Sequence, residues 1–338
     1  MRTESANTTA HVVAPRKWVK RNTLPDEVVK INLSQPLLIL SSAELVLRDI
    51  ELLHQRSLKA RAPAFLLVTG QSGSGKSTLL ETYEDGHPRE TLDDRDRIPV
   101  LLFEVPAAPS ISGIASQILA ALGDPAAHKG TIGEKTERIY HLLDECGVEI
   151  LLVDEFHNLL TEDRKRPIAK VTAWLKTFIN RARRPVVACG LPRSKRVLND
   201  NVELRRRFSA QRYLEPLALD NKGNGDEFRA TLRDLAGRLP CTCIALHDKN
   251  VARRFIYATR GLIDYVVKIL ETAAIIAAGR PNQHIDLEVL GQAFVEKVWT
   301  DAPPKLNPFL TDHKLRILDK CGEPFDEWED PRTIALAY

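Results

Sequence analysis

One octapeptide, Gly70–Ser77 (GQSGSGKS), constrains this chain most, because it fits the pattern G-x-x-x-x-G-K-[ST] at every position. An apolar run, Phe65–Thr69, precedes it, and Lys76–Tyr83 is typical of a helix. A strand, a glycine-rich turn and a helix in this order predict a loop whose backbone N–H groups face phosphate oxygens, helped by the positive end of the helix. We therefore predict that this loop binds the phosphates of a nucleotide.

The residues of this loop suit the parts of a nucleoside triphosphate. We expect the Lys76 amine to neutralise the β- and γ-phosphates, the Ser77 hydroxyl to bind Mg²⁺ and Thr78 to reach the α-phosphate. ATP and Mg²⁺ are the predicted cofactors. The predicted binding residues are Gly70, Gln71, Ser72, Gly73, Ser74, Gly75, Lys76, Ser77 and Thr78.

Two carboxylates follow a second apolar strand. Ile150–Val153 is uniformly apolar, and Asp154 and Glu155 come directly after it. Because parallel strands present ligand-binding residues at their carboxyl ends, we predict that Asp154 orients the magnesium shell. Glu155 is placed to polarise the attacking water as general base. Together the two motifs predict an ATPase that forms ADP and phosphate.

Strands and helices alternate through the first two thirds of the chain, which predicts an α/β fold with a parallel sheet. The predicted strands are Phe65–Thr69, Pro99–Val105, Glu149–Val153, Pro185–Cys189 and Arg212–Leu214. After Pro216 the pattern becomes helical, with no strands between the helices. We predict an arm at 1–36, a nucleotide-binding core at 37–216, a small all-α lid at 217–300 and an extended tail at 301–338.

Composition restricts the cell compartment and the partners less sharply. None of the apolar runs reaches the roughly 20 residues that a membrane span needs, and the N-terminus does not follow the order of a signal peptide. We expect a cytoplasmic protein with no membrane partner. The five cysteines are scattered, as free thiols are. The net charge of +3 does not by itself indicate nucleic acid.

Three consecutive arginines, Arg205, Arg206 and Arg207, follow the fourth predicted strand. One of them could reach the γ-phosphate of a neighbouring subunit and stabilise charge in the transition state, which requires an oligomer. The alternative is a solvated basic cluster or one that binds DNA. The pattern does not distinguish which arginine acts.

The extra strand Pro99–Val105, between the phosphate loop and the acidic pair, is typical of the ATPase branch that includes AAA+, RecA-like and ABC proteins. Within it, the chain resembles the TniB/TnsC group of AAA+ transposition regulators. The run 154–160 (DEFHNLL) resembles D-E-x-H-N-L-L, and 199–208 resembles [DN]-x-x-L-x-x-R-F, with Arg207 at the family arginine. Leu306–Phe309 resembles a motif near the end of such chains. The resemblance covers roughly Leu37 to Phe309.

This resemblance implies an AAA+ core with strand order 5-1-4-3-2 and a slow, regulatory ATPase. It further implies a homo-oligomer, either a ring or a helical filament, around double-stranded DNA. Such a protein would link a TniQ-like target selector to a DDE transposase. DNA would be held through its backbone without sequence preference. Candidate loops are Pro106–Ser112 and Lys129–Gly133, with Lys129 and Thr131 as candidate contacts.

Two positions depart from the AAA+ pattern. Asp264 stands where the lid motif G-x-x-R has an arginine, and Cys189 and Gly190 stand where a polar γ-phosphate sensor is usual. The nearest polar side chains to that sensor position are Arg193 and Ser194. Other possible functions are a replication initiator or helicase loader of the AAA+ or STAND type, an ATP-switched scaffold with slow hydrolysis, and a small-molecule or nucleic-acid kinase.

Overall fold

The computed structural model describes residues 40–57, 63–93, 95–161, 168–199, 201–208, 210–219, 224–310 and 315–329. The predicted arm at 1–36 lies outside these ranges. Among the helices described, none is both long and apolar enough to cross a bilayer.

A five-stranded parallel sheet forms the centre of the chain. Its strands are β1 (Phe65–Gly70), β2 (Val100–Glu104), β3 (Ile150–Asp154), β4 (Val186–Gly190) and β5 (Ala210–Leu214). They lie side by side in the order β2-β3-β4-β1-β5, which confirms the expected order 5-1-4-3-2. The strand that leads into the phosphate loop, β1, is therefore flanked by β4 and β5, and its neighbour β4 separates it from the acidic strand β3.

Eleven α-helices lie within the described residues. They are α1 (Ser41–Ser57), α2 (Lys76–Asp85), α3 (Ile111–Ala121), α4 (Ile132–Glu145), α5 (Ala169–Ala182), α6 (Lys195–Asn199), α7 (Val202–Arg207), α8 (Asn224–Arg238), α9 (Lys249–Thr259), α10 (Ile263–Ala278) and α11 (Leu287–Lys297). Short 3₁₀ turns occupy Phe156–Leu159, Pro192–Ser194 and Pro304–Leu306. A small antiparallel pair joins Glu90–Thr91 to Asp96–Arg97.

The sheet is apolar on both faces because helices cover both. Successive side chains of a strand point to opposite faces. Leu66 and Val68 accordingly belong to one buried cluster, whereas Phe65 and Leu67 belong to the other. Strands buried on both sides read as continuous apolar runs, which explains the uniform composition of β1 and β3.

The residues beyond 216 are mainly helical, and their buried side chains extend the first of these clusters. The expectation that no strands lie between the helices was wrong in one detail: Thr242–Cys243 and His284–Ile285 form a short parallel pair. Two-residue strands are too short to leave an alternating pattern in the sequence. The division into core, lid and tail stays a prediction.

The connection between the sheet and the following helices runs through a close backbone approach. The Leu217 N–H donates to the Gly261 carbonyl oxygen at 2.9 Å. Gly261 has φ +77°, and a Cβ atom there would lie 1.9 Å from the Leu217 carbonyl oxygen. Only glycine fits such a contact in this backbone conformation.

Candidate nucleotide-binding site

The phosphate loop depends on its glycines. Gly73 and Gly75 have φ values of 76° and 90°, a left-handed conformation that side chains disfavour. A Cβ atom at Gly70 would lie 2.5 Å from the Ser74 hydroxyl oxygen. The chain therefore turns tightly between β1 and α2, and the first turn of α2 faces a cavity of about 350 Å³.

Lys76 lies at the start of α2 and is 7% exposed. Its amine donates to the Gln71 carbonyl oxygen of the same loop at 2.8 Å. Burial lowers the pKa of the Lys76 amine, whereas the nearby carboxylates of Asp154 and Glu155 raise it. Because a charge is costly to bury, the Lys76 amine is suited to an anionic ligand, which would add a charge partner in contact with it.

Asp154 and Glu155 emerge at the carboxyl end of β3, as predicted. The Glu155 N–H donates to the Asp154 carboxylate at 2.7 Å. Glu155 has φ 53°, which is uncommon for a residue other than glycine and is often found where function requires it. Burial, followed by the neighbouring Asp154 charge, raises the pKa of Glu155, and the Lys76 and Arg193 charges oppose this. The Glu155 carboxylate is therefore a stronger base than an ordinary one.

His157 is a residue of this site to which the sequence analysis assigned no role. Its Nδ1 lies 3.1 Å from a Glu155 carboxylate oxygen. The left-handed turn at Glu155 starts the 3₁₀ segment Phe156–Leu159, which brings side chains two residues apart together. In the same segment the Asn158 amide donates to the Val105 carbonyl oxygen at 2.8 Å and ties the turn to the end of β2. The motif D-E-x-H-N contained both residues, and their spacing was the available signal.

The structure brings the predicted magnesium and phosphate residues to adjoining cavities. Ser77 and Asp154 line one cavity together with Glu104. The loop residues, Glu155 and His157 line the other. Hydroxyl and carboxylate oxygens are the ligands that Mg²⁺ prefers, and both are present at the first site. The donor set therefore fits the predicted cofactors.

Asp264 faces the phosphate loop from the start of α10. Its backbone N–H donates to the Gly73 carbonyl oxygen at 3.2 Å. Its carboxylate pairs with Lys268 at 2.6 Å. The position that usually carries a lid arginine thus places a carboxylate at the edge of the phosphate cavity.

The residues at the end of β4 occupy the position where a polar γ-phosphate sensor is usual. Cys189 is fully buried, and burial raises the pKa of its thiol, so it carries no charge there. A Cβ atom at Gly190 would lie 2.3 Å from the buried Ser194 hydroxyl oxygen. The polar group that faces the cleft is Arg193, whose guanidinium pairs with Glu329 near the end of the described chain.

The three arginines lie near the amino ends of the strands, whereas the phosphate loop lies at their carboxyl ends. β1 and β5 are parallel, with Leu66 opposite Ala210 and Gly70 opposite Leu214. α7 ends just before β5 begins, so a strand length, roughly 15 Å, separates its arginines from the loop of the same chain. Arg205 and Arg206 are exposed. The Arg207 guanidinium lies over the Phe65 ring, 5.5 Å from its centroid.

The candidate DNA loops meet at the starts of α3 and α4. The buried Lys135 amine donates to the hydroxyls of Ser112 and Ser116, which joins the two helices. Lys129 is exposed. The Thr131 hydroxyl and the Glu134 side chain form a capping box at the start of α4, and the DNA contact of Thr131 stays a prediction.

Comparison with solved structures identifies similar folds. Cdc6p from Pyrobaculum aerophilum gives a TM-score of 0.58 at 16% identity, covering 79% of this chain and 69% of that one. The ORC1 protein of Aeropyrum pernix, in a structure with DNA, gives 0.57 at 19% identity, covering 80% and 69%. The ORC2 protein of the same organism gives 0.56 at 14% identity, covering 82% and 70%. At these identities the likeness concerns the fold, which is that of AAA+ ATPases.

No curated protein sequence is significantly similar to this chain. The model of one protein family, described as bacterial TniB protein, matches residues 32–216. This match spans the whole parallel sheet, the phosphate loop, the acidic pair and the three arginines. The chain therefore belongs to the bacterial TniB family and is an AAA+ ATPase.

Proposed function

We propose that this protein is an ATP-dependent, DNA-binding regulator of transposition that oligomerises on DNA. In this role it links a TniQ-like target selector to a DDE transposase. The observation that carries the proposal is the family match over residues 32–216, since TniB-type proteins are associated with transposition. The nucleotide would act as the switch, and slow hydrolysis would reset it.

The residues around the phosphate loop have distinct tasks in this proposal. Backbone N–H groups of the loop and the Lys76 amine bind the triphosphate, and Ser77 and Asp154 hold Mg²⁺. The metal supplies charge neutralisation of the phosphate oxygens when it is bound. Glu155 accepts a proton from the attacking water, and the His157 contact at 3.1 Å fixes where its carboxylate points.

The position of the arginines supports action between subunits. The amino ends of the strands lie next to Arg205, Arg206 and Arg207, whereas the phosphate loop lies at the carboxyl ends of the strands. These arginines are too far from the loop of their own chain, so an arginine finger must serve a neighbour. In such a contact, the arginine surface of one subunit meets the phosphate-loop surface of the next. This arrangement is head-to-tail, and it repeats into a ring or a helical filament.

The DNA contact is proposed for the loops at the starts of α3 and α4, with Lys129 as an exposed cation. Thr131 would contribute through its backbone or through its position, because its hydroxyl is engaged in the helix cap. Contacts of this kind neutralise phosphates and carry no sequence information. The similar ORC1 fold was determined in complex with DNA, which agrees with a DNA-associated role.

A replication initiator is the second candidate, because the similar folds include Cdc6p and ORC1. A winged-helix domain after the lid would favour it. Within the described residues beyond 219, the only strands are the two-residue segments Thr242–Cys243 and His284–Ile285. That pair is too short for a wing, and the family match over residues 32–216 is the observation on which we favour the transposition regulator.

A subunit-mixing experiment tests the oligomeric ATPase. Glu155→Gln removes the base and keeps the arginines, whereas Arg207→Ala removes one arginine and keeps the base. Each variant alone should hydrolyse ATP slowly or not at all. An equal mixture on DNA should recover about a quarter of wild-type activity, because half of the subunits keep the base and half of those have an intact neighbour.

The same mixture with Arg205→Ala or Arg206→Ala identifies which arginine acts. An absence of recovery with all three variants would exclude a finger from this cluster.

The DNA role is tested by measuring binding to duplexes of unrelated sequence at several salt concentrations. We expect similar affinities that fall steeply with salt, and a strong sequence preference would contradict the proposal. Binding to the purified transposase and TniQ-like protein, compared with and without ATP, tests the partners.

A further inference from the structure

The segment 315–329, which lies beyond the residues matched by the family model, covers part of the nucleotide cleft. Leu318 and Phe325 of this segment are buried, and Phe325 packs edge-to-face on Tyr265 of α10 with the ring centroids 5.8 Å apart. The Arg260 guanidinium lies 3.7 Å from the centroid of the Trp328 ring. The segment is thus packed against the helical region, with its last residue directed at the core.

Glu329 connects this segment to the phosphate loop and to the sensor position. The Arg193 backbone N–H donates to its carboxylate at 2.9 Å, and the Arg193 guanidinium pairs with the other carboxylate oxygen. The Gln71 amide donates to the Glu329 carbonyl oxygen. One acidic residue therefore contacts both sides of the cleft.

The arrangement around Arg193 resembles an occupied anion site. A backbone N–H and a guanidinium donate to the two oxygens of one carboxylate. The same two donors can bind the oxygens of a phosphate. The side chains of Arg193 and Glu329 are 13% and 20% exposed, so the pair is largely shielded from water. Removing Glu329 from such a pair is costly unless another anion replaces it.

The terminal phosphate of ATP is the anion that would arrive there. The cavity beside Glu329 and the phosphate-loop cavity share Ser72 and Leu191 on their walls. The Glu329 carboxylate lies close enough to raise the pKa of Lys76, and the Arg193 charge lowers the pKa of Glu155. These four groups thus belong to one electrostatic environment.

We propose that Glu329 and the γ-phosphate of ATP compete for Arg193, so that a nucleoside triphosphate displaces the segment 315–329 and a diphosphate does not. The inference rests on the proposed nucleotide site. Displacement would expose Arg193 to the γ-phosphate and would uncover Tyr265 and the cleft wall for a neighbouring subunit. Assembly would then be restricted to the triphosphate-bound chain.

Hydrogen exchange of the full-length protein tests the displacement directly. Peptides covering 315–329 should exchange faster with the non-hydrolysable analogue AMP-PNP and Mg²⁺ than without nucleotide. ADP should leave their exchange unchanged. Equal exchange in all three states, or the same increase with ADP, would overturn the proposal.

Nucleotide affinity of two variants gives an independent test. Glu329→Gln keeps the shape of the side chain but removes its charge. It should tighten AMP-PNP binding by about tenfold, as expected if the segment is docked in about nine of ten wild-type molecules, and leave ADP binding unchanged. Lys320→Gln is the control: it removes a charge from an exposed side chain of the same segment and should change neither affinity. An equal effect of Glu329→Gln on both nucleotides would refute the competition.

Lys76→Ala separates failure of this inference from failure of the nucleotide site. If the wild type binds neither nucleotide, or if Lys76→Ala binds both as well as the wild type does, the site and the inference fall together. If binding depends on Lys76 but the segment responds to neither nucleotide, only the inference is wrong.

Discussion

Replacing Gly261 by alanine should damage the connection between the sheet and the helices that follow it. The residue has φ +77°, and the added Cβ would lie 1.9 Å from the Leu217 carbonyl oxygen. The neighbouring atoms are backbone, so no side chain can move aside. The two segments must separate, which breaks the hydrogen bond from the Leu217 N–H to the Gly261 carbonyl oxygen.

The expected loss follows from two contributions. A left-handed backbone costs an L-residue about 1–2 kcal/mol relative to glycine. Losing the hydrogen bond costs a further ~1 kcal/mol. We therefore expect Gly261→Ala to lower the free energy of unfolding by ~2–3 kcal/mol.

Urea unfolding followed by far-ultraviolet circular dichroism measures this difference. With a denaturant dependence of about 2–3 kcal/mol per molar urea, the midpoint should fall by about 1 M. Gly237→Ala is the matched control, because it is in the last turn of α8 and, among the described residues, no atom outside the adjacent backbone of its own helix lies within 4 Å of the added Cβ. Alanine favours a helix over glycine by ~0.5–1 kcal/mol, so the control should shift the midpoint upward. A Gly261→Ala midpoint equal to that of the wild type would refute the reasoning.

Three further predictions concern the nucleotide site. Lys76→Met should abolish ATP binding in a fluorescence titration. It should also raise the urea midpoint of the nucleotide-free protein at pH 7, because the folded state lowers the pKa of this lysine and so disfavours its charged form; a lowered midpoint would contradict this. His157→Ala should reduce kcat by roughly 10²-fold with a smaller change in KM, since its contact with Glu155 orients the general base. A selective rise in KM would argue against that role. The pKa of Glu155 is raised, and the base acts only when it is ionised, so ATPase activity should fall on acidification at a higher pH than it would with an ordinary glutamate. Glu104→Gln removes a charge that raises this pKa and should move the loss of activity to lower pH; an unchanged pH profile would show that another group determines it.

The sequence predicted the parts of this fold that depend on local patterns. Apolar runs marked the first four strands, whereas the fifth, Ala210–Leu214, is mostly polar and only its end, Arg212–Leu214, was predicted. The glycine pattern of the phosphate loop placed Lys76 and Ser77 correctly at the start of α2. These features are local because strand burial and loop geometry are determined by a few consecutive residues. The strand order came instead from the family resemblance, since periodicity does not determine which strands are neighbours.

The contacts that the sequence did not predict join distant residues or require a specific turn. Glu329 reaches Arg193 across 136 positions of sequence, and neither residue lies in a repeating pattern that would pair them. His157 reaches Glu155 only because Glu155 adopts a left-handed conformation. Thr131 is a different case: Thr131 and Glu134 have the spacing of a capping box, a local signal that the prediction of a DNA contact at Thr131 did not use.

The carboxylate of Asp264, beside Gly73 at the rim of the phosphate cavity, affects how long a nucleotide remains there. A triphosphate entering this cleft approaches a negative charge that Lys268 only partly offsets, since the two groups are half exposed. Where a lid arginine would prolong residence, repulsion shortens it. We expect spent ADP to dissociate quickly, so that the ratio of ATP to ADP around the protein sets the loaded fraction without the help of an exchange factor.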